Sequence, residues 1–419
     1  MASVLYITYD GITDHIGQSQ VAPYLIGLAR KGHRITLLSA EKKYREQIIA
    51  EYQKRFKEAG IDWQFVKYHK KPVVFSTVFD LWRMRKIARR LVKQNKINII
   101  HCRSYVASLI GLNFKKKTGV KFIFDMRDFW PDSNKEIRRF DVDKKRLDRE
   151  VYSYFKKKEK EFIETADHIV SLTEAGKLVM QQWNTEGLVQ LNVPVSVIPC
   201  CADFAVFDRS QLNEERFGMF RSLFEIKPTD FVINYLGSLG PTYMTDQMMD
   251  FFSVLLEKKP DAKFLIIANN DHQLAIAAAK RKNIDLSKII VTKGAKEDVP
   301  YLIAMSHLSI FFVIPTFAKQ ACSPTKLGEL LAMNVPVISN SKIGDLDTIL
   351  DPQKNNSITI KDFTHEEYDR ALNVLLPAIE RNSNHIRENS TYFSLTRGVE
   401  LYNHIYESLE NHLEIRYKK

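Results

Sequence analysis

Short apolar runs alternate with helix-period segments along almost the whole chain. The chain opens with the apolar run VLYITYD, a helical stretch over residues 20–31 and a second apolar run, HRITLLS. Later runs of the same kind are INIIHC, KFIFDM, HIVSLT and SVIPC. Strands that are separated by helices usually pair in parallel, because each crossover helix packs on the sheet it connects. The sequence therefore predicts an α/β fold, with a mostly parallel sheet that is covered by helices on both faces.

The alternation starts again at FVINYLGSL and continues through KFLIIAN, IIVTK, LSIFFVI and PVISN. Helical segments over 245–258 and 323–333 lie between these runs. We therefore predict two doubly wound, Rossmann-like domains, over 1–205 and 206–389, which divide in a polar stretch after SVIPC. Residues 390–419 follow the second sheet, and their pattern predicts one or two helices.

Composition excludes several classes of protein. Hydrophobic residues make up 45% and charged residues 27% of 419 residues, with only 16 Gly and 14 Pro, which excludes collagen-like and disordered chains. The four cysteines form no C-x2-C pair, which indicates reduced core thiols and no metal site. No secretory pattern opens the sequence and no apolar run is long enough to span a membrane, so we expect a cytoplasmic protein.

The net charge of +12 is distributed unevenly. Residues 1–200 contain 37 Lys or Arg against 22 Asp or Glu, and the segment between Asp80 and Asp125 contains twelve basic residues and no acidic one. Such a surface would attract a polyanion or the anionic inner leaflet of a membrane, whereas the alternative is a set of solvated helix faces. The predicted helix over 79–96 places Trp82 beside basic residues, which favours a peripheral membrane contact. Nucleic acid is not favoured, because the basic stretch lacks interleaved aromatic residues.

Polar residues follow the predicted strands of the first half, where ligands of parallel sheets bind. Gly17 and Gln18 lie in a glycine-containing loop that leads into a helix, but this loop matches neither G-x-G-x-x-G nor a Walker A motif. Arg103 and Arg127 follow the runs INIIHC and KFIFDM and are candidate binding groups. The alternative for Arg127 is a structural ion pair with Asp125 or Asp128. His101 is more simply a core histidine than a catalytic base.

In the second half, the segment SPTKLGELLAMN predicts a helix whose N-terminus binds an anion. Ser323 is the expected N-cap, with Pro324 and Thr325 in the first positions of the helix. Lys326 lies in the first turn, where its charge opposes the helix dipole unless an anion such as a phosphate lies beside it. Glu329 lies one turn further on, and either accepts hydrogen bonds from ribose hydroxyls or pairs with Lys326.

Several segments together resemble the retaining glycosyltransferases of family 4, which have the GT-B fold and include many enzymes of bacterial cell-surface glycan synthesis. The matching segments, in order, are GQSQV, ADHIVSLTEAGK, VIPCCADFAVF, YLGSL and SPTKLGELLAMNVPVISN. They extend over essentially the whole chain. The resemblance implies two Rossmann-like domains facing across a cleft, with C-terminal helices that return to the N-terminal domain.

The resemblance also implies a function. It implies a metal-independent hexosyltransferase that needs no cofactor and takes its sugar from a nucleoside diphosphate donor, a UDP-sugar rather than a GDP-sugar. The acceptor would be a saccharide or a polyprenol-linked saccharide. Donor-binding positions implied by the resemblance, together with those argued from the residues, are Gly17, Gln18, Gly237, Ser238, Gly294, Val299, Ser323, Pro324, Thr325, Lys326 and Glu329. Lys326, Arg103 and Arg127 are the cations expected to support the chemistry.

The sequence departs from the family pattern at three places. Ala321 stands at the first glutamate of the E-x7-E motif, and Glu329 matches the second. Ser238 stands where the family has an arginine, and the usual lysine falls near Tyr243 or Met244. These departures leave open a noncatalytic GT-B relative that only binds a nucleotide sugar. A non-hydrolysing sugar-nucleotide 2-epimerase, which has a similar two-domain build, is the other alternative.

Overall fold

The computed structural model describes residues 1–42, 45–380 and 385–417. The chain forms two compact units, one from Met1–Pro199 together with Leu395–Lys419 and the other from Cys200–Ser394. The sequence pattern placed these divisions after residues 205 and 389. The units divide a few residues away, after Pro199 and after Ser394.

Within the described residues, the first unit contains one parallel sheet of seven strands. Its strands are β1 (Ser3–Thr8), β2 (Arg34–Glu41), β3 (Asp62–Lys67), β4 (Ile99–Arg103), β5 (Lys121–Asp125), β6 (His168–Ser171) and β7 (Val195–Val197). Their spatial order is β3-β2-β1-β4-β5-β6-β7. The order reverses between β1 and β4, and this reversal is the switch point of the sheet.

The helices that connect these strands are α1 (His15–Gln20), α2 (Ala22–Arg30), α3 (Glu46–Glu58), α4 (Val73–Gln94), α5 (Ser104–Thr118), α6 (Trp130–Glu136), α7 (Arg146–Thr165) and α8 (Glu174–Thr185). The helix predicted over 20–31 is found as α2, which begins at Ala22 and ends at Arg30; the backbone breaks at Val21, which separates it from the short helix α1. The helix predicted over 79–96 begins earlier, at Val73, and ends at Gln94.

The second unit repeats the same topology with six described parallel strands. They are β8 (Val232–Leu236), β9 (Lys263–Ile267), β10 (Ile289–Thr292), β11 (Leu308–Phe311), β12 (Val337–Asn340) and β13 (Ile358–Ile360), in the order β10-β9-β8-β11-β12-β13. The α-helices are α9 (Glu214–Leu223), α10 (Thr245–Lys258), α11 (His272–Arg281), α12 (Val299–Ala304), α13 (Thr325–Ala332), α14 (Leu346–Ile349) and α15 (His365–Glu380). Short 3-10 helices span Arg209–Gln211, Leu286–Lys288, Phe317–Ala321 and Glu388–Phe393. The predicted α/β fold with two doubly wound parallel sheets is confirmed, and the second switch point lies between β8 and β11.

The last helix, α16 (Leu395–Tyr417), packs in the first unit, as the resemblance implies. Gly27 of α2 allows the two helices to approach, since a Cβ at this glycine would lie 2.6 Å from Val399 Cγ2. His33 Nε2 and Asn403 Oδ1 lie 2.8 Å apart. Helix α16 is therefore part of the core of the first unit although it follows the second unit in sequence. No helix of the described segments is both long and apolar enough to cross a bilayer.

Candidate active site

The loop after β8 is fixed against the end of β11, at the switch point of the second sheet. Met244 N donates to Phe312 O at 3.0 Å, and Ile314 N donates to Thr242 O at 3.1 Å. The hydroxyl of Tyr235, on β8, donates to Ser238 O at 2.6 Å. The predicted donor-binding residues Gly237 and Ser238 therefore lie in a loop whose backbone is held in place from both of its ends.

Helix α13 begins at Thr325, one residue later than the sequence pattern predicted. Pro324 is the N-cap, with φ −64° and ψ 119°, and caps no backbone group through its side chain. The prediction that Ser323 is the N-cap is wrong, because its hydroxyl instead accepts a hydrogen bond from Cys200 N at 3.1 Å. Ser323 thus ties the start of the second unit to the segment that precedes α13.

Lys326, in the first turn of α13, lies inside an aromatic cage at the switch point. Its side chain is buried, with 6% of the residue exposed. The ammonium Nζ lies 4.3 Å from the ring centroid of Tyr235, 4.5 Å from that of Tyr243 and 5.2 Å from that of Phe311. Nζ has no hydrogen-bond partner among the described residues. A buried ammonium that donates no hydrogen bond is costly, so this position favours an anionic ligand.

The electrostatics of α13 follow from burial. Burial lowers the pKa of Lys326 to about 7, although Glu329 and Cys322 oppose this shift. Burial also raises the pKa of Glu329 to about 7, and here Lys326 and Lys296 act in the opposite direction. Both groups consequently change charge near neutral pH, and their states are coupled.

Gly294 and Val299 contact each other beyond the end of β10, two strands away from β8. A Cβ at Gly294 would lie 2.9 Å from Val299 Cγ2 and 3.0 Å from Ile267 Cγ2, so this glycine allows α12 to approach β9. Gly294 N donates to Asn269 Oδ1 at 3.1 Å. The structure thus brings Gly237, Ser238 and Lys326 together and places Gly294 and Val299 in a separate contact.

In the first unit, Gly17 lies in α1 against the loop that follows β1. A Cβ at Gly17 would lie 2.2 Å from Gly11 O, so a larger residue would push α1 away from this loop. Gln18 Nε2 donates to Thr13 O at 3.0 Å. The buried carboxylate of Glu41, at the end of β2, accepts from Ile12 N at 2.7 Å and from Thr13 Oγ1 at 2.9 Å. The loop is therefore shaped by Glu41, which the sequence analysis did not single out.

Arg103 ends β4 at the switch point of the first sheet, where its register partners are Thr8 on β1 and Asp125 on β5. Its side chain is buried, and its Nε lies 3.5 Å from Asp10 Oδ2. Neither Nε nor Nη1 has a hydrogen-bond partner among the described residues. The next residue, Ser104, adopts φ 62° at the start of α5, a left-handed conformation that is unusual for a serine.

Arg127 forms the ion pair that was the structural alternative in the sequence analysis. Its Nη1 donates to Asp125 Oδ1 at 3.2 Å and to Tyr402 Oη at 3.3 Å. Burial favours the neutral acid of Asp125, but Arg127, His101 and Arg103 outweigh this effect and hold its pKa well below the usual range. Burial lowers the pKa of His101, whose Nδ1 lies 2.7 Å from Tyr406 Oη. His101 is a core histidine with its polar atoms satisfied.

The aromatic cage around Lys326 is the feature that the sequence analysis missed. Tyr235 and Phe311 lie within apolar runs and read as ordinary core residues of strands. Tyr243 was considered only as a position where the family usually has a lysine. Lys326 itself pointed to such a site, since a positive charge at a helix N-terminus is unfavourable unless other groups stabilise it.

Two doubly wound units of this topology define the GT-B fold, and solved structures share it over nearly their full length. A glycosyltransferase from Rickettsia africae has a TM-score of 0.69 and 14% identity, with 97% of this chain and 98% of that chain covered. Sucrose-phosphate synthase from Thermosynechococcus elongatus has a TM-score of 0.71 and 11% identity, with 98% and 100% covered. HepE from Anabaena, solved with UDP and glucose, has a TM-score of 0.66 and 12% identity, with 98% and 100% covered.

The sequence itself matches a family model within the first unit. Residues 21–206 match the model described as Glycosyltransferase Family 4. No curated protein matches the chain significantly. The family match within the first unit supports a glycosyltransferase enzyme, and the GT-B fold is consistent with it.

Proposed function

We propose that the protein transfers a hexose from a UDP-sugar to a saccharide or polyprenol-linked acceptor, with retention of the anomeric configuration, in the synthesis of a surface glycan. The observation that carries the proposal is the buried Lys326 ammonium at the switch point of the second sheet. An anion at this place would use both the ammonium and the free N–H groups at the start of α13. The complex of HepE with UDP and glucose supports a UDP-sugar as the donor.

In the proposed reaction, Lys326 stabilises the charge that develops on the departing diphosphate. The bond between the sugar C1 and the β-phosphate oxygen breaks, and the acceptor oxygen bonds to C1 on the same face. The departing phosphate accepts the proton of the acceptor hydroxyl. Glu329 accepts hydrogen bonds from the ribose hydroxyls. In the first unit, Arg103 is buried with no hydrogen-bond partner at Nε or Nη1 among the described residues, which supports it as a further cation. Arg127 is engaged by Asp125 and Tyr402 and has a mainly structural role.

The test is a screen of UDP-glucose, UDP-N-acetylglucosamine and GDP-mannose with and without a bacterial lipid extract as acceptor. We expect UDP release that requires the extract, and a product whose anomeric configuration, measured by NMR, equals that of the donor. Lys326→Met should lower kcat/KM by about 100-fold to 1000-fold, as the loss of a preorganised transition-state donor does. Lys280→Met, at an exposed lysine of α11, is the matched control and should leave kcat/KM unchanged.

Other outcomes of this screen would contradict the proposal. Conversion of UDP-N-acetylglucosamine to its 2-epimer without acceptor would indicate the epimerase instead. Donor binding without UDP release under every condition would indicate a nucleotide-sugar binding protein. Inversion at C1 would exclude the retaining mechanism while leaving the transferase activity in place.

We propose further that α4 holds the protein at an anionic membrane surface, where a polyprenol-linked acceptor resides. One face of α4 exposes Phe75, Val78, Phe79 and Trp82 at 76%, 60%, 48% and 61%. These positions follow helical spacing, and the same face continues with exposed basic residues toward the C-terminus of the helix. The exposed basic residues are Lys86, Arg89, Arg90 and Lys93. An exposed apolar patch followed on the same helix face by exposed basic residues is suited to contact with an anionic membrane interface.

Trp82 lies on the outer face of α4 and not in the core, which supports this proposal. The buried stripe of the helix is Leu81, Met84, Ala88 and Leu91, on the face opposite to Trp82. Arg85 is only partly exposed, and its Nε is buried without a hydrogen-bond partner among the described residues, so it is a poor choice for a surface variant. Lys86 and Arg89 are the better pair for charge reversal.

Sedimentation with liposomes tests this contact. We expect binding to phosphatidylglycerol vesicles, weaker binding at high salt, and no binding to phosphatidylcholine vesicles, because each basic residue adds on the order of 1 kcal/mol near an anionic surface. Phe79→Ala with Trp82→Ala and Lys86→Glu with Arg89→Glu should each reduce binding. The control Lys117→Glu with Lys157→Glu makes the same change in net charge at exposed residues elsewhere in the first unit. Equal loss in the control would mean that total charge, and not α4, determines binding.

A further inference from the structure

The buried ammonium of Lys326 is surrounded by ring faces instead of by hydrogen-bond acceptors. Tyr235 is on β8, Tyr243 is in the loop that follows, and Phe311 ends β11, so the three rings come from both sides of the switch point. The rings of Tyr235 and Tyr243 lie 5.8 Å apart with an interplanar angle of 71°. This geometry allows both rings to face one ammonium group.

Aromatic rings are the apolar groups that stabilise a buried cation. The face of each ring carries negative electrostatic potential, which attracts an ammonium within about 6 Å, and more strongly where water is excluded. Aliphatic side chains of equal size would leave the same charge without compensation. The ring faces around Lys326 therefore offset part of the cost of burying its charge.

The loop that carries Tyr243 is fixed in a way that places its ring on Lys326. Tyr243 N donates to Gly240 O at 3.0 Å, and Tyr243 forms a bridge with Val313. Its neighbours Thr242 and Met244 both bond to the segment after β11. The ring of Tyr243 is thus held by backbone contacts on both sides of the residue.

We propose that Tyr235 and Tyr243 are positioning residues that hold the Lys326 ammonium, in its charged form, at the place where the donor diphosphate leaves. The inference rests on the proposed function, since it assigns how Lys326 is prepared for its role. The tyrosines need not touch the donor. The two tyrosines act through Lys326. Loss of a ring makes the charged form of Lys326 less favourable and leaves its ammonium less firmly held in position.

The pH dependence of activity reports the charge state of Lys326. A tyrosine with a merely structural role would not change this pH dependence. The other groups facing the ammonium are the carboxyl of Glu329 on the same helix, the Cys322 thiol before it, and the phenols of Tyr235 and Tyr243. Burial raises the pKa of Tyr243 to about 12 and that of Tyr235 further, so both phenols remain neutral over the assay range. Removing a ring favours the neutral amine, and activity should then be lost at lower pH on the alkaline side.

The experiment compares Tyr243→Phe with Tyr243→Leu in the full-length protein, with UDP release measured between pH 6 and 10. Tyr243→Phe keeps the ring and should keep kcat/KM within about twofold. Tyr243→Leu should lower kcat/KM about tenfold or more, and should move the alkaline limb of the pH profile to lower pH by about one unit. Tyr243→Met, whose longer and more flexible side chain adapts better to the space left by the ring, is a second variant in case the leucine protein does not fold. Tyr235→Phe retains its ring, so its alkaline limb should not move.

Comparison of the Lys326 and Tyr243 variants separates a failure of the aromatic cage from a failure of the proposed donor site. If Lys326→Met is inactive but folded Tyr243→Leu and Tyr243→Met keep the wild-type rate and pH profile, the cage has no positioning role. If Lys326→Met is itself as active as the wild type, the donor diphosphate does not depend on Lys326 and the proposed site is wrong. Equal effects of Tyr243→Phe and Tyr243→Leu would assign the role to the hydroxyl and overturn the role of the ring.

Discussion

The Nζ of Lys326 lies directly against the backbone of Gly237, where a Cβ on the glycine would be 2.6 Å from Nζ and 3.1 Å from Cε. Gly237 also has φ 139°, in a region that other residues rarely adopt. The absence of a side chain at Gly237 therefore allows the loop after β8 to lie against Lys326, in the first turn of α13. A side chain at position 237 would displace the Lys326 ammonium.

Gly237→Ala should displace the Lys326 ammonium from its cage. We expect a loss of about 1–3 kcal/mol in the free energy of unfolding, because the alanine combines an unfavourable φ with a steric overlap, together with a fall in kcat/KM. Urea unfolding and steady-state kinetics measure the two effects. Gly218→Ala is the control, since a Cβ there meets nothing within 4 Å and the glycine lies in α9, where alanine is favoured. A stable and fully active Gly237→Ala protein would show that Lys326 can move without consequence.

Lys326→Met should stabilise the protein most at low pH. Burial lowers the pKa of Lys326 from 10.5 to about 7, so between these values the unfolded chain binds more protons than the native one. The Lys326 contribution to the free energy of unfolding therefore rises as pH increases through this range. Methionine avoids the burial of charge, so the difference between variant and wild type should be larger at pH 6 than at pH 9. Thermal melting at the two pH values, with Lys280→Met as control, tests this; a constant difference would contradict it.

Glu329→Gln should raise the KM for the donor and leave kcat nearly unchanged. The amide keeps the shape of the side chain but accepts hydrogen bonds from ribose hydroxyls less strongly than a carboxylate. Because burial raises the pKa of Glu329 to about 7, the wild-type group is largely protonated at pH 6. We therefore expect roughly a tenfold effect on KM at pH 8 and a smaller one at pH 6. A loss of stability with an unchanged KM would instead favour a structural pair with Lys326.

Tyr406→Phe should destabilise the first unit. Its hydroxyl lies 2.7 Å from His101 Nδ1, and both groups are buried. Removing one partner leaves a buried polar atom unsatisfied, which costs about 1–3 kcal/mol. Urea unfolding followed by circular dichroism measures this, with Tyr154→Phe on the exposed face of α7 as control. Equal stability of the two variants would mean that α16 is not held through His101.

The sequence pattern was sufficient for the two sheets because buried parallel strands read as continuous apolar runs. It also indicated Lys326, since a positive charge at the start of a helix opposes the helix dipole. It could not identify the cage, because Tyr235 and Phe311 are equally typical of a strand that contacts only other apolar residues. Nor could it decide which stripe of α4 faces outward. The Leu81 and Trp82 stripes have similar apolar content, and only the tertiary packing of the helix distinguishes them.

The membership of α16 in the first unit has a consequence for synthesis on the ribosome. Residues 1–199 emerge first, yet the hydroxyls that satisfy His101 and Asp125 come from Tyr402 and Tyr406. The contiguous segment Cys200–Ser394 emerges in between and has all of its own strands at hand. The unit that is translated first is therefore the last to complete its interior. Until α16 leaves the exit tunnel, His101 lacks its Tyr406 partner and the surface that α16 covers stays exposed to solvent.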